Sequence, residues 1–413
     1  MIGDKLTYYM GTTGGGVWKT SDAGQHWRNI SDGYFSTGSV GAISVSLSDP
    51  NIIYVGMGEH APRGVMTAHG NGVYKSTDAG KSWVHLGLDK TQHISRIKIH
   101  PQNPNILWVA AQGALYGKSE ERGIYKSIDG GKSWKKVLYV NNSTGASELS
   151  IDKNNPKILY AAMWDHMRTP WKVISGGPGS GLYKSLDGGE TWIELSKGLP
   201  EEMGKMAIAV SPADSKWVYA LIESESKKEK GGLFLSKNGG ENWKRISNDH
   251  RLIQRAWYYI ELTLDPKNKE IVYVLSASAY KSNNSGVDWE EIDTHHGDYH
   301  DLWINPNDNN HLVLGNDGGV NLSYDQGDNW IKLNQPAVGQ FYSINIDNSD
   351  PYNVYGGLQD NGVWMASNNS VESPYWYESG HNNWTKIMGG DGMQIQIDKR
   401  NNNIVYTGLQ FGN

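Results

Sequence analysis

The 413-residue chain has no cysteine, which excludes disulfides and thiolate metal sites but leaves the compartment open, because a chain of this size needs no covalent staples. It has no apolar run near the ~18 residues that a membrane-spanning helix requires. Met1-Ile2-Gly3-Asp4-Lys5 has neither the basic nor the apolar region of a signal peptide. Basic blocks are missing too: 38 Lys and Arg against 44 Asp and Glu leave a net charge of −6, which disfavours a nucleic-acid partner. Phenylalanine is scarce, at 4 residues, against 17 tryptophans and 23 tyrosines. Such a balance suits many short strands that hold amphipathic aromatics at fixed places.

What the chain does have is a repeat. The pattern Ser/Thr-x-Asp-x-Gly-x-x-Trp, with Asn for Asp in two copies, recurs at Thr20-Asp22-Gly24-Trp27, Ser76-Asp78-Gly80-Trp83, Ser127-Asp129-Gly131-Trp134, Ser185-Asp187-Gly189-Trp192, Ser236-Asn238-Gly240-Trp243, Ser282-Asn284-Gly286-Trp289 and Ser323-Asp325-Gly327-Trp330. An eighth copy, around Trp384, has lost the acid. Each copy follows a short strand such as Gly72-Val73-Tyr74-Lys75. That strand is preceded by a turn and strand such as Asp49-Pro50-Asn51-Ile52-Ile53-Tyr54-Val55-Gly56, and a further strand such as Ala42-Ile43-Ser44-Val45 precedes the turn.

The unit is therefore four antiparallel strands, A to D, over roughly 40 to 58 residues, the period of a propeller blade. The expected fold is an all-β propeller of four-stranded antiparallel blades, with seven complete blades and partial units at both ends. The whole of 1–413 reads as one Asp-box region: a partial blade over 1–30, complete blades over about 40–390, and a partial blade over 391–413. Since both ends fall inside a repeat, the chain is expected to be a piece of a longer protein. In each box the glycine relaxes the C–D turn, the carboxylate accepts backbone N–H groups within it, and the tryptophan packs between blades. Similar acids at similar turns are scaffold rather than catalysts.

These boxes resemble those of the Asp-box (BNR) propellers shared by sialidases, xyloglucan-degrading glycoside hydrolases of family 74 and sortilin-type receptor domains. Gly14-Gly15-Gly16-Val17-Trp18-Lys19, His296-Gly297-Asp298-Tyr299-His300-Asp301-Leu302-Trp303 and Leu358-Gln359-Asp360-Asn361 are similar to a bacterial group labelled glycosyl hydrolase or sortilin-like. Its members are usually longer and exported, so the resemblance implies an extracellular, periplasmic or cell-surface location. It constrains chemistry weakly, because propellers host many functions. Where the family 74 resemblance implies a catalytic Asp before the Gly-Gly that opens a strand C, this chain has Thr12-Thr13. Blade seven keeps Asn316-Asp317 before Gly318-Gly319. The sialidase arginine triad has no counterpart.

Strand alternation puts the A–B and C–D connections at one end of every blade and the B–C and D–A connections at the other. The boxes occupy the first end, so function is expected at the second, where loops vary. Candidate binding residues there are Glu59, His60 and Arg63 of blade two; Trp164, Arg168 and Trp171 of blade four; Arg255 and Trp257 entering blade six; His296, His300 and Asn316 of blade seven; and Gln359, Asn361 and Asp391 further on. The run Glu223 to Lys230 reads as a solvated hairpin. Tyr258 and Tyr259 are expected in the strand core, with Trp257 exposed.

Glycoside hydrolysis needs two carboxyl groups, one of them protonated. Asp298, Asp317, Asp301 and Asp360 are the candidates, with Asp391 behind them. His296-x-Asp298-x-His300 would put three metal-ligand types on one face of an extended segment. Hydrogen-bonded residues lining a channel explain them more simply, since no motif fixes a fourth ligand, and neither metal nor cofactor is expected. Beside a purely structural role, two functions stay open. One is a carbohydrate-active propeller, hydrolytic or formerly so, whose partner is a polysaccharide or oligosaccharide. The other is a sortilin-like scaffold for a peptide or protein, which needs no acid pair.

Overall fold

A computed structural model describes residues 4–63, 67–224, 231–333, 336, 338–371 and 383–412. Most of the Glu223 to Lys230 run lies outside the described residues, as does the turn leading to Trp384. The expected all-β propeller is what folds. Among the described residues there are six four-stranded antiparallel sheets, a further sheet of four strands with a fifth paired at its side, a three-stranded sheet at the start and a two-stranded one at the end. Sheet two shows the plan: Val40–Val45, Ile53–Met57, Val73–Ser76 and Val84–His85 pair in that order as strands A to D.

Position in the sheet governs composition. The second strands are buried throughout, as in Ile53–Met57, Leu107–Ala111 and Val218–Ile222, because both of their faces lie against neighbouring sheets. They accordingly read as unbroken apolar runs. The outermost strand Val84–His85 is exposed, and Lys244–Ser247 begins with two exposed cations, which guard an open edge against stray pairing.

Each box works as its spacing implies. In sheet two the Ser76 hydroxyl donates to Asp78 Oδ1 at 2.8 Å and accepts from Gly80 N at 2.8 Å. Asp78 Oδ1 also accepts the backbone N–H groups of Lys81 and Ser82, both at 2.9 Å. These donors, led by the Ser82 hydroxyl, pull the Asp78 carboxyl down to about 2. Gly80 has φ +86 and Ala79 before it has φ +59, so the turn uses two successive left-handed residues, of which the sequence marks only the glycine. Trp83 then donates its indole N–H to Ile30 O of the preceding sheet at 2.7 Å, and Trp134 does the same to Leu86 O at 2.8 Å. Tyrosines of the second strands bolt the same end to the following sheet: Tyr54 to Pro104 O, Tyr160 to Gly239 O and Tyr219 to Lys269 O.

Contacts divide the chain into two units, Met1–Thr20 with Arg28–Lys332, and Ser21–Trp27 with Leu333–Asn413. The repeat runs through both. In the first unit each innermost strand touches the next around the axis. The circle closes where the first sheet meets the seventh, through Lys5 to Asp308 at 2.6 Å and the Tyr8 hydroxyl against His311 Nε2 at 2.8 Å. The second unit holds Phe341–Ile346, Asn353–Leu358, Gly362–Ser367 and Thr385–Met388 in one sheet and Gly392–Ile397 with Val405–Leu409 in another. Trp83→Ala, which removes a buried indole and its bond, is expected to cost about 3 to 5 kcal/mol; urea unfolding checks this through a lowered midpoint.

Candidate functional site

At the loop-rich end of the first unit, side chains from several sheets converge. The link into sheet seven brings Asp298, which has φ +57, just ahead of the strand Tyr299–Ile304. The turn after Leu312–Asn316 brings Asp317. Asp317 donates its backbone N–H to Asp298 O at 3.2 Å and pairs its carboxylate with His300 Nε2 at 2.7 Å. Carboxylate oxygens of Asp298 and Asp317 lie within 4.8 Å of each other. Asn316 braces the same link, donating to His296 O at 2.8 Å. The His296 side chain packs so closely over Gly318 that any Cβ there would meet it at 2.4 Å.

Sheet two supplies Glu59, 7% exposed and bonded to Arg63 Nε at 3.1 Å. Burial pushes the Glu59 carboxyl up, against the opposing pull of Arg63. Sheet six supplies a turn whose Arg255 guanidinium lies 5.8, 5.4 and 5.4 Å from the rings of Trp257, Tyr258 and Tyr259. Tyr258 and Tyr259 are buried as expected, but in the turn ahead of the strand Glu261–Leu264 rather than within a strand, and Trp257 is partly exposed. The charges of Glu59, Arg63, Asp298 and Asp317 all act on the Tyr258 hydroxyl, whose acidity burial suppresses first. Tyr259 hydrogen-bonds Asp298.

Beneath this cluster the channel carries charges that pattern reading missed. Arg96 of the strand Ile94–Ile99 chelates Glu148 at 2.9 and 3.0 Å and also pairs with Glu261. His60 Nε2 faces Glu261 at 3.5 Å. Arg96 belongs to sheet three and Glu261 to sheet six, which are not neighbours around the axis, so the pair spans the channel. Lys205, fully buried, donates to Tyr258 O at 3.2 Å, and burial with the nearby Arg96 charge lowers it to about 7. Charged residues within innermost strands, Arg96 and Lys98 in Ile94–Ile99 and Glu148 in Thr144–Ile151, were the available signal. Asp301, exposed at the channel, interacts electrostatically with Arg96 and Lys98.

Other candidates are held by other elements. Trp164 is fully buried, donating to Ser175 Oγ and stacking on His166 at 4.1 Å. What reads as a loop there is largely a strand extension, Leu159–Thr169 paired with Lys172–Ser175. That extension puts Trp171 at its tip, 84% exposed, and Arg168 with its guanidinium 5.9 Å from the Trp257 ring. Glu223, expected in solvent, accepts bonds from Ser175 and Lys205 N instead. Gln359, Asp360, Asn361 and Asp391 belong to the second unit, where Asp391 Oδ1 accepts Asp360 N at 2.7 Å and Gln359 O accepts Asn361 Nδ2 at 3.1 Å. The metal spacing fails. The left-handed Asp298 breaks the extended segment, and a register shift falls between Tyr299 and Asp301. Among the described residues His296 and His300 join no group able to hold an ion.

The fold, the boxes and the loop-rich face define an Asp-box β-propeller. A family model described as "Sortilin-Vps10: Sortilin, neurotensin receptor 3" matches residues 15–162 and 122–276, together more than half of the chain, and the chain belongs to that family. Among curated relatives, an oligoxyloglucan-reducing end-specific xyloglucanase of Emericella nidulans is 22% identical over 316 residues, covering 67% of this chain and 36% of the relative. A xyloglucanase of a Paenibacillus species is 23% identical over 275 residues, covering 65% and 23%. The chain thus spans well under half the length of these relatives. Of solved structures, an ancestral GH74 enzyme aligns with a TM-score of 0.52 at 16% identity over 98% of this chain and 59% of its own. YCF48 bound to D1 peptide aligns with 0.50 at 16% over 78% and 90%. At such identities the likeness is one of fold. No helix among the described residues is long and apolar enough to cross a membrane.

Buried histidines give the site a pH dependence. His93, with Nδ1 against Glu59 O at 2.7 Å, is lowered by burial to about 4, and His60 and His166 fall well below the usual imidazole range for the same reason. Between pH 6.5 and 4 the unfolded chain binds more protons, so stability declines as pH falls through that window, by up to about 3 kcal/mol from His93 alone. Urea unfolding at pH 7.5 and 5 is expected to show this loss, and His93→Gln to reduce the difference between the two.

Proposed function

We propose that the loop-rich face of the first unit takes a polysaccharide and hydrolyses it, within an exported protein longer than this chain. The observation that carries this reading is the gathering of Asp298, Asp317 and Glu59 around one patch, with Asp298 and Asp317 within 4.8 Å and their surroundings built from ring edges and hydroxyls. Hydrolysis needs a carboxyl that keeps its proton and a carboxylate beside it. Glu59 is the candidate for the first part by its place in the cluster; burial raises its carboxyl against the pull of Arg63. Asp317, steered by His300, and Asp298, anchored by Tyr259, fit the second. The names of the Emericella and Paenibacillus relatives support a carbohydrate ligand.

A second reading, a binding scaffold for peptide, is favoured by Thr12-Thr13, which stands where the family 74 resemblance implies an acid, and by the family to which the chain belongs. Reducing-end release from a panel of plant and algal polysaccharides separates the two. Hydrolysis that drops about 10²- to 10⁴-fold in Asp298→Asn and in Asp317→Asn supports the first; binding without release supports the scaffold.

A further inference from the structure

Arg255 is an exposed residue with a positive φ of +55, a conformation that side chains other than Gly, Asn and Asp seldom adopt. Strain of this kind persists where its surroundings over-determine it, and it concentrates at binding sites. Here two bonds hold it: Tyr258 N and Tyr259 N both donate to Arg255 O, at 2.8 and 3.1 Å. The resulting turn folds the guanidinium over the residue's own successors, within 5.4 to 5.8 Å of three aromatic rings. One N–H bond, Nη1 to the Tyr259 hydroxyl at 3.3 Å, fixes its rotation. Tyr259 is itself tied to Asp298, so the guanidinium is indexed to the candidate acid pair.

Among the described residues no carboxylate lies within ion-pair distance of Arg255; its side-chain contacts are the three rings and that hydroxyl. A guanidinium has five N–H donors in a planar fork that matches a carboxylate bidentately. Four of them remain after the Tyr259 bond. A second cation stands close by, since Arg168 lies 5.9 Å from the same Trp257 ring. An anion settling there is held by the Arg255 fork. The same arrangement works against a neutral sugar, because aromatic face already covered by a cation is not open for ring stacking.

We propose that Arg255 binds a carboxylate of the ligand, so that the glycan taken by this face carries hexuronate residues. The proposal rests on the carbohydrate reading above and narrows its substrate class. Calorimetric titration of the full chain with three probes tests it: an oligogalacturonate, the same oligomer fully methyl-esterified, and a neutral xylogluco-oligosaccharide. The expected result is that the free acid binds at least about tenfold more tightly than its ester, as one charge-assisted bidentate contact provides, and that Arg255→Gln abolishes this gap while leaving the melting temperature in place. Arg255→Asn, which suits a left-handed backbone, is expected to abolish it equally and guards against a folding effect. Equal affinity for acid and ester, or a gap that survives both substitutions, overturns the proposal. Binding of the neutral oligosaccharide without the acidic one leaves the carbohydrate reading standing and sinks the hexuronate assignment. Binding of none of the three removes both.

Discussion

Everything in this structure hangs on the bonding inside one turn. A serine hydroxyl, a carboxylate or amide and a left-handed glycine satisfy the backbone donors that a tight C–D connection would otherwise leave unmet. Ser76, Asp78 and Gly80 show it, and Ser185, Asp187 and Gly189 repeat it with the same distances within 0.1 Å. With the turn fixed, Trp83 and Trp134 reach a carbonyl of the preceding sheet, Trp192, Trp289 and Trp330 bond the glycine carbonyl of their own turn, and the second-strand tyrosines reach the following sheet. Sheets too small to be stable alone thereby become a ring.

This division of labour explains what could be read in advance. The boxes and the Asp-Pro turns are local, contiguous and repeated, so the four-stranded unit, its order and the direction of its loop-rich end were legible. So was the burial of Tyr258 and Tyr259, which follows from their place at the entry to a strand. Trp164 and Glu223 were misplaced because a loop and an extended strand of similar composition look alike, and the pairing of Leu159–Thr169 with Lys172–Ser175 is settled by tertiary contacts. The metal spacing failed at the left-handed Asp298 and at the register shift between Tyr299 and Asp301, neither of which the spacing announces.

The less legible part is the charge buried along the axis. Arg96 and Glu148 come from adjacent sheets, but Arg96 and Glu261 come from strands far apart in sequence that only the ring brings together. Pairs of this kind are poor sources of net stability, since desolvation offsets most of their attraction, yet leaving one member alone is costly. They therefore act as a registration device: any arrangement of the sheets that separates them strands an ion in the interior.

The tie between Arg96 and Glu261 also sets a limit on traffic. Because it joins sheets that are not adjacent, the passage down the axis is barred, and the loop-rich end is a cup with a floor rather than the mouth of a tunnel. A polymer cannot be drawn through it. For a polysaccharide of the kind proposed, this means lying across the rim or lowering one end onto the charged floor, where rim features such as the Trp171 hairpin would set the length of chain engaged.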